Sequence, residues 1–378
     1  MLYIHRADIL TPRERLANSA LLIDGERIVA LGDIPCPAEA HTIDATGLIL
    51  APGFIDLQLN GGFGFDFTSD PRTIFQVAER LPEHGVTSFL PTIITSPLAT
   101  VAAAQETLRL TPPNFRGASP LGLHLEGPFL NPAKRGAHNP AHLRQPDLRT
   151  MTGWSHDSGV WLVTLAPELP AALDSVKCLR DQRVVVSTGH SMANFEDALA
   201  ALDSGVTYGT HLFNAMPALD HRDPGLVAAL LTDPRATVGL IADGVHVHPA
   251  IVKLIWQAKG PARINLVTDA MAALGMPPGQ YTLGGFTAIV DQISARLADG
   301  RLAGSILHLD QAVRNLIAFT GCSIAEAVAT VTSVPARLLG LADRGQIAPG
   351  FIADLVLLTA ELRVKMTITK GQISHELR

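Results

Sequence analysis

The sequence predicts an α/β protein: a (β/α)8 TIM barrel with a small β-sandwich domain built from both termini. Three observations predict it. Eight apolar, β-rich runs alternate with helical stretches through the middle of the chain, the pattern of parallel strands with crossover helices. Polar residues recur at the C-terminal ends of those runs, where a barrel keeps its active site. The two ends of the chain share another pattern, short strands joined by tight turns.

Residues 1–50 form the N-terminal part of the small domain. "SALLIDGERIVALGD" has an apolar run, an Asp24-Gly25 turn and a second run. "HTIDATGLILAPG" has the same style. Residues 348–378 supply the other part, with "GQIAPGFIADLVLLT" leading into it and "VKMTITKGQIS" carrying a Lys370-Gly371 turn. No composition shift marks a flexible linker, so the two domains should pack together.

The barrel occupies 51–347. Its strands are "APGFIDLQL", "GVTSFLPTII", "SPLGLHLE", "GVWLVTLAPE", "RVVVSTGH", "GVTYGTHLF", "ATVGLIADGVH" and "RINLVTD". Helical stretches over 71–84, 195–204 and 250–259 separate several of them. A doubly wound open sheet is the alternative, but the polar strand ends favour closure. After the eighth strand, 279–305 reads as a β-hairpin insertion, and two helices follow near 306–320 and 323–339. There is no glycine-rich phosphate loop and no short-period repeat.

Composition narrows the function. The 378 residues are 47% hydrophobic and 17% charged, enough for a sizeable core and too apolar for disorder. Net charge is -6 with no basic run, which argues against nucleic acid as partner. An anionic substrate would need a local cluster of donors. Cys36, Cys178 and Cys322 are widely spaced and suggest no disulfide framework. With no apolar run near the roughly 20 residues of a membrane helix, a cytoplasmic protein is expected.

Strand three ends in His124, Glu126 and Gly127; strand five in His190; strand six in His211, followed by Asn214; strand seven in Asp243 and His246; strand eight in Asp269. In a parallel barrel these ends meet at one mouth. A glutamate and two imidazoles are a standard set for a catalytic divalent metal with a position left for water. Asp269 would stand beside that water and move its proton. Each residue also has a plainer reading: a surface histidine, a buried hydrogen-bonded carboxylate, a helix N-cap. Four of them ending four barrel-type strands favour the metal hydrolase.

The motifs then point to a family. "HLEGPFLNPAKRGAHNP", "STGHSMANFEDAL", "GTHLFNAMPALDHRDPGL", "IADGVHVHP", "LVTDAMAALG" and "LAGSILHLDQAVRN" resemble, in order, those of N-acetylglucosamine-6-phosphate deacetylases of the amidohydrolase superfamily. The resemblance implies removal of the acetyl group of N-acetyl-D-glucosamine 6-phosphate, in amino-sugar catabolism or cell-wall recycling. It implies Glu126, His190 and His211 as ligands of one divalent ion, Zn2+ first, with Fe2+, Mn2+ or Co2+ able to serve. It implies Asp269 as the catalytic acid–base and His138 as a substrate contact that helps stabilise the oxyanion. Ala137, Asn214, Ala215, His246, Leu302, Ala303 and Gly304 become further substrate contacts. Arg222 becomes a phosphate ligand reaching into the neighbouring subunit of a homodimer. From the residues alone, "DHRDPG" is better read as an exposed charged turn.

One place departs from many amidohydrolases. Where they carry a His-x-His pair for a second metal, this chain has Gln58-Leu59-Asn60. Amides are poor ligands for transition metals. No lysine on strand four is available to bridge two metals, so a mononuclear site is expected. Gln58 and Asn60 are left between ordinary hydrogen bonding and weak metal contact. Two rivals stay open: an amidohydrolase with a different anion clamp, and a silent paralogue acting as a scaffold.

Overall fold

The computed structural model describes residues 1–11 and 14–377. Eight parallel strands form the barrel, in chain order Phe54–Leu59, Val86–Ile94, Leu123–Glu126, Val160–Leu165, Val185–Thr188, Tyr208–Gly209, Thr237–Leu240 and Ile264–Leu266. Each pairs in parallel with its predecessor. The ring is joined between strands eight and one, where Asp269 N donates to Gln58 O and Asn60 N to Ala270 O, both at 2.8 Å. Most of the strands are rich in Val, Ile and Leu, and they are buried along nearly their whole length because helices cover the outside. The fold class read from the sequence is the one observed.

The termini meet in one sheet. From edge to edge it runs Gln372–Glu376, Val364–Thr369, Leu355–Leu358, Ile49–Pro52, Leu2–Leu10, Arg15–Asp24 and Arg27–Gly32, with His41–Asp44 also on Leu2–Leu10. It encloses its own core around Ile4, Leu21, Leu50, Leu355 and Ile368. The Lys370-Gly371 turn joins Thr369 to Gln372 with both φ values positive, 48° and 73°. The first hairpin turns one residue later than expected, on Gly25-Glu26, because Asp24 itself pairs with Arg27.

Prolines account for the helical differences. The expected 71–84 helix breaks into Pro71–Thr73, Ile74–Ala78 and Leu81–His84, since Pro82 cannot continue the ladder. The last expected helix divides into Ile324–Ala329 and Ser333–Leu338. Pro335 there lacks an N–H and crowds the carbonyl four residues back. The insertion is a hairpin, Gly279–Leu283 with Phe286–Val290, plus a short strand Ala295–Arg296. It caps a small apolar core that includes Ile94, Ala137, Met271 and Ala303, and so packs over the barrel mouth. No helix among the described residues is long and apolar enough to cross a membrane.

A buried ion pair ties the terminal sheet to the barrel. Arg344 bonds the Asp354 carboxylate and, at 3.3 Å, the hydroxyl of Ser88 on strand two. Asp354 also accepts from Lys370 N at 2.8 Å. Removing one member of such a pair leaves a buried charge unmatched. Asp354→Ala should lower the free energy of unfolding by about 3–5 kcal/mol in urea titrations. A loss within the range of a surface pair, about 1 kcal/mol or less, would show that the pair does not tie the domains.

Candidate active site

The polar strand ends converge as expected. Glu126 Oε1 lies 2.9 Å from His211 Nε2 and 3.2 Å from His190 Nε2, and the two ring nitrogens are 3.0 Å apart. All three side chains are buried. His190 Nδ1 donates to Lys134 O at 2.8 Å, which leaves the Nε2 of a neutral ring as a bare lone pair. A lone pair facing a carboxylate oxygen at 3.2 Å is a set of acceptors without a proton between them. That donor chemistry fits a divalent cation.

His138 is close enough to be weighed as a ligand. Glu126, His138 and His190 also offer ligand atoms within 4.8 Å of one another. Its hydrogen bonds argue against that role. Thr95 N donates to His138 Nδ1 at 3.3 Å, and the Thr95 hydroxyl lies 2.8 Å from the same atom. Nδ1 is therefore an acceptor and Nε2 carries the proton. Burial pushes this imidazole down to about 3, so it is neutral near pH 7. Its Nε2–H lies 3.7 Å from Glu126 Oε2 and faces the cluster as a donor, whereas His211 Nε2 stands closer, 2.9 Å from Glu126 Oε1.

Asp269 accepts two amide bonds on the same oxygen, from Asn60 Nδ2 at 2.7 Å and Gln58 Nε2 at 3.1 Å. Gln58 Nε2 also reaches Glu126 Oε1 at 3.0 Å. Gln58 and Asn60 thus act as hydrogen-bond donors to the two carboxylates. The carboxylates fix which way each amide faces. Burial, and then the charge of Glu126, push Asp269 up to about 6. Burial also pushes the Glu126 carboxyl up, but its close placement against the His190 and His211 rings outweighs that and holds the group well below the usual range.

Backbone geometry sets these side chains. His190, His211 and Asp269 all have positive φ, 49°, 29° and 49°, in the left-handed region that non-glycine residues rarely enter. Each turns its strand end sharply into the mouth. Gly304 permits a close backbone approach at the site. At its φ of 65° a Cβ would stand 2.9 Å from the carbonyl oxygen of Asp269.

A cavity of about 310 Å³ opens onto this cluster. Its wall includes Asn60, Glu126, Ala137, His138, His190, His211, Asn214, Ala215, His246, Asp269, Leu302 and Gly304. His246 Nδ1 is 2.6 Å from Asp243 Oδ2. Ala303 is fully buried behind the wall, against Met271 and Ala288. Arg222 is exposed, its backbone N bonded to Asp220 Oδ1 at 2.8 Å, and it does not line its own chain's cavity.

Four neighbours of the site escaped the sequence reading. Thr95 fixes the His138 tautomer. Lys134 and Arg301 line the cavity. Asp56, a single acid inside the first apolar strand, accepts from Thr268 Oγ1 at 2.6 Å next to Asp269, and burial pushes it up to about 7. The lone charge in "APGFIDLQL" was a signal for it. Beneath the cluster, His124 Nε2 meets Thr164 Oγ1 at 2.8 Å, and Thr164 meets Thr210 at 2.7 Å. Burial pushes His124 down to about 4, which marks it as a neutral structural member of the barrel interior.

A parallel barrel with a Glu/His/His cluster and a buried aspartate at its mouth is the arrangement of a hydrolase whose site can hold a metal ion. The chain belongs to the amidohydrolase family, whose pattern matches residues 49–374. It is similar to N-acetylglucosamine-6-phosphate deacetylase of Danio rerio, 42% identical over 88% of this chain and 86% of that one. It is also similar to N-acetylgalactosamine-6-phosphate deacetylase of Escherichia coli, 39% identical over 97% and 99%. Among solved structures, N-acetyl-D-glucosamine-6-phosphate deacetylase of Mycobacterium smegmatis in complex with N-acetyl-D-glucosamine-6-phosphate superposes with a TM-score of 0.90. That enzyme is 36% identical, over 99% of each chain. The resemblance drawn from the motifs is borne out.

Proposed function

We propose that this enzyme hydrolyses the acetamide of N-acetyl-D-glucosamine 6-phosphate, giving D-glucosamine 6-phosphate and acetate. One observation carries the reading: Glu126, His190 and His211 share a cavity with an amide-held Asp269 and a tautomer-fixed His138. The relatives name the substrate class. One of them is named for the galacto isomer, so the sugar's configuration rests on the substrate panel below.

Glu126, His190 and His211 would hold one divalent ion, zinc first, with Fe(II), Mn(II) or Co(II) able to serve the same donors. When bound, such an ion lowers the pKa of water to about 7 and polarises a carbonyl. The chain's own groups do the rest. Asp269 accepts a proton from water as the water oxygen bonds to the acetyl carbon. His138 donates Nε2–H to the carbonyl oxygen as negative charge grows there. Asp269 then gives its proton to the nitrogen as the C–N bond breaks. An aspartate pushed up to about 6 is ionised near pH 7 yet holds a proton better than an ordinary one, which suits both duties. Asn60 and Gln58 keep it oriented.

Ala137, Asn214, Ala215, His246, Leu302 and Gly304 would touch the sugar, with Ala303 backing the acetyl side. The exposure of Arg222 suits a side chain that serves a neighbouring site, so a homodimer with shared sites is proposed. Three free cysteines suit a cytoplasmic setting.

Acetate release from the gluco and galacto 6-phosphates and from unphosphorylated N-acetyl-D-glucosamine tests the reading. Preference for the gluco 6-phosphate is expected, as is a loss of at least about 100-fold in turnover for Asp269→Asn. Faster release from either other sugar would overturn the substrate assignment. Near-normal turnover of Asp269→Asn would remove that residue from the chemistry. For the assembly, inactive Asp269→Asn subunits mixed with Arg222→Ala subunits should regain activity. A heterodimer then has one site with an intact Asp269 and the partner's intact Arg222. No recovery despite demonstrated subunit exchange would place Arg222 outside the shared-site role.

A further inference from the structure

We infer that Lys134 is a phosphate-binding residue of the cavity, supplied by the same chain and distinct from Arg222. The inference rests on the deacetylase reading and deepens its anion subsite. Two long cationic side chains line the cavity, Lys134 and Arg301, and they are not equivalent.

Arg301 is already committed. Its Nη2 and Nε donate to Asp299 Oδ2 at 2.6 and 2.8 Å, and its Nη1 holds the carbonyl of Gly136. The charge is compensated and the guanidinium fork is used on the loop that carries Ala137 and His138. Lys134 has no such partner. Its Nζ makes one hydrogen bond, to Met216 O at 2.8 Å, and among the described residues no carboxylate pairs with it. An ammonium has three donors, so two remain for a ligand. His246, also on the wall, has its Nδ1 engaged by Asp243 at 2.6 Å.

Placement supports the role. Lys134 is half-buried, and its side chain spans from the loop after strand three to the loop after strand six, just beyond Asn214 and Ala215. The reacting cluster is buried, so the acetyl end of the substrate must point inward. The 6-phosphate then faces the half-exposed wall that Lys134, Asn214 and His246 form. The Lys134 carbonyl is fixed by His190 Nδ1 at 2.8 Å, so the side chain projects from an anchored point. The need is also clear. The chain's net charge of -6 repels a phosphate monoester. An uncompensated ammonium offsets that repulsion locally.

The test compares zinc-loaded wild type, Lys134→Gln and Lys134→Arg. Kinetics use N-acetyl-D-glucosamine 6-phosphate and N-acetyl-D-glucosamine, and calorimetry measures the Kd of D-glucosamine 6-phosphate. Glutamine can still donate to the Met216 carbonyl but has no charge; arginine keeps the charge. Lys134→Gln should raise KM for the phosphorylated sugar and the Kd of the product about tenfold or more, the effect of losing one charge-assisted bond. Its preference for the phosphorylated sugar should fall by the same factor, and Lys134→Arg should restore most of both. Wild-type KM, Kd and preference in Lys134→Gln would overturn the proposal. So would equal losses on both sugars in both variants, which would mark a loop pin. A wild-type protein inactive on the phosphorylated sugar would overturn the deacetylase reading itself, a result distinct from an active enzyme indifferent to Lys134.

Discussion

Everything at the barrel mouth depends on how the charge of Glu126 is balanced. A buried ionised carboxylate costs several kcal/mol unless donors or a cation surround it. Here one oxygen faces two imidazole nitrogens and the Gln58 amide, all within 3.2 Å. His190 Nδ1 is spent on the Lys134 carbonyl, so only its Nε2 faces the Glu126 carboxylate. That donor set suits a cation. It also governs Asp269, whose proton affinity is raised by burial and by the Glu126 charge beside it. The Gln58 and Asn60 amides are what allow two carboxylates to share so small a space.

The barrel supplies the rigidity this arrangement needs. His190, His211 and Asp269 stand in left-handed backbone conformations, each at a cost of about 1–2 kcal/mol. The ladder holds Asp269 on both sides: its N bonds Gln58 O, and its O accepts from Ser305 N, both at 2.8 Å. Strand closure and side-chain placement are thus one event. The His124–Thr164–Thr210 network below fills the barrel interior with satisfied polar groups, so the reacting cluster rests on a floor that does not compete for its charge.

Much of this was legible in the sequence. The barrel strands could be read because buried parallel strands are continuous apolar runs. Glu126, His190, His211 and Asp269 could be read because they interrupt those runs at their C-terminal ends. What was not legible depends on through-space partners. Thr95 matters only because its N–H meets His138, 43 residues away. Lys134 sat in plain view in "NPAKRGAHNP", yet only its distance from any carboxylate separates it from Arg301. The helix breaks at Pro82 and Pro335 were signalled locally and outweighed by the helical pattern around them. Gln58 and Asn60 stood undecided until the positions of Glu126 and Asp269 gave their amides a direction.

We propose that a single ion site, closed by Glu126, His190 and His211, suffices for amide hydrolysis with Asp269. Stepwise addition of Zn2+ to metal-free protein, with acetate release from N-acetyl-D-glucosamine 6-phosphate followed at each step, tests it most directly. Activity should rise linearly and level off at about one ion per chain, the count a three-ligand site allows. Activity that keeps rising in proportion to a second bound ion would contradict it.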